Sequence, residues 1–296
     1  MHDVIIAGGG PAGLTAAIYA ARSGMSVLVF EKSFCGGQAA LVPLIENYSG
    51  LINISGYELA QSLEKQALSF GVQIIHEQIN EIVLENTAKK VLTPENSYTA
   101  KTLILCTGTR VKKLNINGEK KFEGRGVSYC ATCDGFFYKD KITAVIGTGE
   151  QALEDAVYLS DICKKVYFIN KNAADTLKEK VNIEILPNHT PVKIDGEQKV
   201  SSLSLMDSES LTPITLELDG VFIAAGSVPE NDIYQKLDIK NENGYIITNE
   251  NMETSIEGIF AAGDARKKRT RQIVTAAADG AEAAISAKKY IMEISK

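Results

Sequence analysis

The stretch Val4-Ile5-Ile6-Ala7-Gly8-Gly9-Gly10-Pro11-Ala12-Gly13, answered by Val27-Leu28-Val29-Phe30-Glu31, decides the fold. Val4 to Ala7 is an apolar run of the kind that forms a strand buried on both faces. Gly8, Gly10 and Gly13 occupy the first, third and sixth positions of G-x-G-x-x-G. There they permit a tight turn, a close backbone approach to a pyrophosphate, and helix packing against the strand. Pro11 and Ala12 complete the loop, and Leu14 to Ser23 predict an alanine-rich helix stopped by Gly24. The helix begins with unpaired N–H groups that suit an anion. Glu31 closes the second strand, where a carboxylate takes ribose hydroxyls. Strand, loop, helix, strand and acid in this order predict a dinucleotide site.

The same unit recurs downstream. Ile142 to Ile146 predicts a strand, Gly147-Thr148-Gly149 a turn, the segment through Leu159 a helix, and Val166 to Ile169 a second strand. Three closing runs follow one pattern: Leu103-Ile104-Leu105-Cys106 into Thr107-Gly108, Val221-Phe222-Ile223-Ala224 into Ala225-Gly226, and Gly258-Ile259-Phe260-Ala261-Ala262 into Gly263-Asp264. Ile273 to Ile291 predicts a terminal helix. The expected class is α/β, with two Rossmann-like, doubly wound dinucleotide-binding domains. A chain of 296 residues is long enough for both.

The third closing run favours FAD as the first ligand. Gly263-Asp264 follows a buried strand, where a carboxylate can bond a flavin's ribityl or phosphate arm, and Arg271-Gln272 precede the last helix within reach of it. Alone, Asp264 is as readily a turn cap.

Composition narrows the partners. A formal charge of −6 argues against nucleic acid, which requires a broad positive face. No apolar run is long enough to span a bilayer, and the N-terminus enters a strand without a charged leader, so a soluble cytoplasmic protein is expected. Five cysteines, only two of them close together, are not a secreted disulfide framework. They fit a reducing compartment with one working dithiol.

That dithiol lies in Tyr129-Cys130-Ala131-Thr132-Cys133-Asp134-Gly135. C-x-x-C spacing puts two sulfurs within disulfide reach and supplies an attacking and a resolving thiol. Asp134 is a candidate acid/base for the departing thiol. The alternative, half of a zinc site, needs a second C-x-x-C or a histidine pair, whereas His2, His76 and His189 are scattered. Cys106 reads as core; Cys35 and Cys163 have no predicted partner.

These landmarks, with Gly36-Gly37-Gln38, Glu46-Asn47-Tyr48 and the run Cys130 to Tyr138, resemble the low-molecular-weight thioredoxin reductases over nearly the whole chain. The resemblance implies a homodimer whose FAD domain, residues 1–111 and 239–296, is split by a pyridine-nucleotide domain at 112–238. It implies that Cys133 contacts the flavin, Cys130 attacks thioredoxin and Asp134 is the acid/base. It also extends the FAD-contacting set to Gly37, Gln38, Asn47 and Gly108.

One part departs from that family. Its second dinucleotide strand is followed by H-R-R-x-x-x-R, whose arginines hold the 2′-phosphate of NADPH. Here the run is Asn170-Lys171-Asn172-Ala173-Ala174-Asp175-Thr176, with one lysine and no arginine. A lysine offers a point charge but not the guanidinium fork, and Glu150 puts a carboxylate where pyrophosphate would meet the helix. In this the chain resembles the ferredoxin-dependent flavin thioredoxin reductases. Arg266-Lys267-Lys268-Arg269 with Arg271 places five positive charges in six positions, a patch suited to steering an acidic redox partner. The expectation is therefore a disulfide reductase passing electrons from ferredoxin through FAD and Cys130/Cys133 to thioredoxin. The alternatives are an NADH- or NADPH-dependent reductase of thioredoxin or of a peroxidase domain, and a flavin-bound redox sensor.

Overall fold

The computed structural model describes every residue except 86–87, 171–176, 178–180 and 240. The chain forms two compact units, Met1–Arg110 with Val228–Lys296, and Val111–Ser227. The second crossing thus falls earlier than residue 238. The reason is apolar burial: Tyr234 lies in a core cluster with Ile5, Leu103 and Ile259 of the first unit, and Ile233 and Leu237 pack against it.

In the first unit, β1 (His2–Ala7) leads through α1 (Pro11–Arg22) to β2 (Val27–Phe30). A second helix, α2 (Gly56–Ser69), starts on a Ser55–Glu58 capping box and leads to β3 (Gln73–Ile75). An antiparallel run follows: β4 (Glu81–Glu85), β5 (Ala88–Leu92) and β6 (Ser97–Leu105). The sheet order is β3-β2-β1-β6-β5-β4. Beyond β5's reach, Leu103–Leu105 of β6 pairs in parallel with the strand Ile259–Ala261. Val4 to Ala7 are shielded on both faces, as their unbroken apolarity requires.

Every parallel strand here ends at the same edge of the sheet. The loops Gly8–Gly13, Cys106–Gly108 and Ala262–Asp264 therefore emerge together, the place where open α/β sheets bind ligands. The terminal helix Ile273–Ile294 packs along α1. It reaches past Ile291, where the sequence predicted its end.

In the second unit a parallel sheet orders the strands Ile183–Leu186, Lys165–Ile169, Ile142–Ile146, Gly220–Ile223 and Val127–Ser128. The helix Glu150–Ser160 connects Ile142–Ile146 to Lys165–Ile169. A three-stranded antiparallel sheet, His189–Gly196, Val200–Asp207 and Pro213–Glu217, had not been singled out in the sequence. Both expected Rossmann-like cores are present.

Candidate functional site

The first glycine loop is shaped by contacts that only hydrogen permits. Gly8 has φ +111°, and a β-carbon there would lie 2.3 Å from the Cys106 carbonyl oxygen. At Gly13 a β-carbon would lie 1.9 Å from the Gly8 carbonyl oxygen. Gly10 caps α1 and Pro11 takes the first helical position, where a missing N–H costs nothing. Ala12 is buried under the terminal helix: a β-carbon on Gly280 would come within 2.1 Å of its carbonyl. Glu31 accepts from the Gly9 N–H at 2.8 Å and the Ser33 N–H at 3.0 Å. These bonds fix its carboxylate beside the loop and leave acceptor capacity on both oxygens.

The other predicted residues of this unit fall into linked pairs. Gln38 donates to the Thr109 carbonyl, and Asn47 donates to Gln272 at 3.1 Å. A β-carbon on Gly37 would stand 3.6 Å from the Cα of Gly10, so the two glycine segments meet. Gly108 turns the chain out of β6 with φ +71°.

Asp264 and Arg271 carry the test for a bound dinucleotide. The Oδ1 of Asp264 and the Nε of Arg271 are buried, and neither has a hydrogen-bond partner among the described residues. Burial pushes the Asp264 carboxyl up, with Lys268 and Arg271 opposing the shift. A buried acceptor and a buried cationic donor left open beside a glycine loop are expensive unless a ligand completes them. FAD, with ribityl hydroxyls and phosphate oxygens, fits that donor–acceptor set.

The basic run is not the free patch that the sequence suggested. Arg266 and Lys268 both bind Asp279, at 2.8 and 2.7 Å, and are largely buried. Lys267 binds Glu242 at 2.5 Å, and Arg271 stacks on the Tyr245 ring at 4.4 Å.

In the second unit Cys130 and Cys133 form a disulfide, Cα to Cα 5.3 Å, across the helical turn Ala131–Asp134. A closed pair is a redox element, not half of a zinc site. The turn follows the two-residue strand Val127–Ser128. There the Ser128 hydroxyl donates to Asp134 Oδ2 at 2.6 Å and accepts from the Cys130 N–H at 3.1 Å. Burial raises the Asp134 carboxyl above the usual carboxylate range, and the Ser128 bond works against it. Behind the turn the Tyr129 hydroxyl donates to buried Glu119 at 2.9 Å. Sequence reading missed Ser128 and Glu119, since a lone serine or glutamate carries no spacing signal. Cys35, Cys106 and Cys163 are reduced and buried, and desolvation raises all three thiols.

The second glycine turn opens into a cleft of about 480 Å³, lined by Gly147, Thr148, Gly149, Ile169, His189 and Ala225 among others. Glu150 lies in the first turn of the helix at its floor, as expected. Asn170 is buried at the end of its strand. The rest of the arginine-free run, 171–176, lies outside the described residues.

Comparison with known proteins agrees with this arrangement. Residues 2–280 match the family model for pyridine nucleotide-disulphide oxidoreductases. A thioredoxin reductase of Ureaplasma parvum serovar 3 is 43% identical over 98% of this chain and 97% of its own. The crystal structure of thioredoxin reductase from Streptococcus pyogenes MGAS5005 superposes with TM-score 0.94 at 38% identity, covering 99% of both chains. A ferredoxin-flavin thioredoxin reductase from Clostridium acetobutylicum gives TM-score 0.55 at 35% identity, over 100% of this chain and 99% of that one. The glycine loop, the open Asp264–Arg271 pair and the Cys130–Cys133 disulfide thus place this chain among the FAD-binding pyridine nucleotide-disulphide oxidoreductases, in the thioredoxin reductase family.

Proposed function

We propose that this chain reduces the disulfide of thioredoxin through Cys130 and Cys133. The observation that carries the reading is the Cys130–Cys133 disulfide held in one turn with a buried acid. FAD, when bound and reduced by the donor, would supply the electron pair that opens this disulfide. Gly8, Gly10, Pro11, Ala12, Gly13, Glu31, Gly37, Gln38, Asn47, Gly108, Asp264, Arg271 and Gln272 would hold it. Once the pair is reduced, the Cys130 thiolate attacks one sulfur of thioredoxin, and the thioredoxin S–S bond breaks as the mixed disulfide forms. Asp134 gives its proton to the departing thiolate. Cys133 then attacks Cys130, the second thioredoxin thiol leaves, and the Cys130–Cys133 bond is restored. Homodimerisation and a cytoplasmic setting accompany this reading. Among the described residues no helix is long and apolar enough to cross a membrane.

Asp134→Asn tests the acid. Turnover is expected to fall about 10²–10³-fold, as for loss of a general acid. The parent's rate should decline as pH rises through the raised carboxyl value, and the variant should lose that limb. A carboxyl raised on folding from 3.8 contributes stability below that pH and loses it as pH rises through the folded value. The variant at pH 7 should therefore unfold no sooner than the parent, by thermal melt; early unfolding would make Asp134 structural instead.

For the donor, two readings rest on different observations. The open cleft over Gly147–Gly149 favours a nicotinamide dinucleotide, and the absence of arginine in 170–176 favours NADH over NADPH. The same absence, with the full-length likeness to the ferredoxin-flavin enzyme, favours ferredoxin. Burial of Arg266 and Lys268 on Asp279, with Lys267 neutralised by Glu242, weakens the steering patch in the second argument, so we place the nicotinamide first. Anaerobic mixing of oxidised protein with NADH, NADPH or reduced ferredoxin, followed by flavin absorbance, decides it. Bleaching within the turnover time by NADH is expected. Bleaching by ferredoxin alone would reverse the order.

A further inference from the structure

We infer that Asp279, on the terminal helix, is the positioning residue that assembles the flavin-contacting turn. The inference rests on the reading that Asp264 contacts FAD. One Asp279 carboxylate ties three points of a six-residue segment. Its Oδ2 accepts from the Gly263 N–H at 3.1 Å and from Lys268 Nζ at 2.7 Å, and its Oδ1 accepts from Arg266 Nη1 at 2.8 Å. The three side chains are only 10–15% exposed, so water does little to weaken these bonds. Arg266 is fixed from its other side by Thr248 Oγ1 at 3.0 Å.

The helix bearing Asp279 also touches the dinucleotide loop. Gly280 follows it directly, and its α-carbon rides on the Ala12 carbonyl so closely that a β-carbon would lie at 2.1 Å. Gly263, on the other side, would place a β-carbon 2.9 Å from the Ala12 side chain. Ala12, Gly263 and Asp279–Gly280 thus form one contact, and the Asp264 turn is set against the first glycine loop through it. Asp279 does a second thing as well. It holds Lys268 where that cation opposes the burial of Asp264, although the Asp279 charge itself adds to the upward shift. Within the basic run, Arg266 and Lys268 form an internal frame for Asp264, while Lys267 and Arg269 face outward.

The test measures FAD release from holoprotein after dilution, by the rise in flavin fluorescence, for Asp279→Asn, Lys268→Met and Asp264→Asn. Loss of charged, buried hydrogen bonds corresponds to about a 10- to 100-fold faster release for Asp279→Asn, and about 3- to 10-fold for Lys268→Met. Far-UV circular dichroism at saturating FAD should match the parent in each. Release at the parent's rate from Asp279→Asn, with fast release from Asp264→Asn, overturns the inference and leaves the site reading intact. Release at the parent's rate from Asp264→Asn overturns the site reading itself. If Asp279→Asn does not fold, Lys268→Met decides, and an unaltered rate there overturns the inference.

Discussion

Cys130→Ser and Cys133→Ser should each lower thioredoxin turnover by at least about 10³-fold, because exchange needs both an attacking and a resolving thiol. The two losses differ in what they leave behind. With Cys133→Ser, Cys130 still attacks, but nothing displaces thioredoxin from it, so a covalent adduct accumulates and survives a non-reducing gel. With Cys130→Ser the attacking sulfur is gone and no adduct forms. The turn is consistent with this division of labour, since Ser128 pins the Cys130 N–H beside the buried Asp134 carboxyl. An adduct on Cys130→Ser and none on Cys133→Ser would exchange the two roles. Full turnover by either variant would remove the dithiol from the mechanism.

The second large effect is expected at Gly13. A methyl group there meets the Gly8 carbonyl oxygen at 1.9 Å, a backbone atom that cannot swing aside. The loop must open or α1 must tilt, at a cost of about 3 kcal/mol or more for overpacking. Gly13→Ala should purify with flavin near background and melt well below the parent. Gly10→Ala is the control, because a β-carbon there meets nothing within 4 Å in the protein. It should keep the melting temperature of the apoprotein while weakening FAD, whose pyrophosphate needs that space. Normal flavin content in Gly13→Ala would mean that the loop holds no dinucleotide.

How far the sequence could be read depended on whether each constraint was local. Gly8 and Gly13 were legible because the backbone of one turn demands them, whatever else the chain does. Cys130, Cys133 and Asp134 were legible for the same reason: spacing within one turn sets their chemistry. The charges at 266–268 were misread as unpaired because their partners, Asp279 and Glu242, stand 13 and 25 positions from Arg266 and Lys267. A linear charge pattern cannot see a carboxylate on another element. The crossing between the units lies before residue 238, which was not legible because Ile233, Tyr234 and Leu237 look like any short apolar segment until their cluster is known. Ser128 is one hydroxyl at the end of a two-residue strand, and only the folded turn gives it Asp134 to hold.

The pairing of β6 with Ile259–Ala261 also orders events during synthesis. Leu103 and Ile259 are partners 259 − 103 = 156 positions apart. At roughly 5–20 residues per second, about 8–30 s pass on the ribosome between the two. The whole of residues 111–227 emerges in that interval, with its own sheet and its own core. The inserted unit can therefore finish folding while the first sheet still has an open edge at Leu103–Leu105. That edge is closed only when the last segments, with Asp264 and Asp279, leave the exit tunnel. Flavin uptake is therefore expected only after those segments emerge, and a nascent chain arrested short of Ile259 should carry a folded second unit and no flavin.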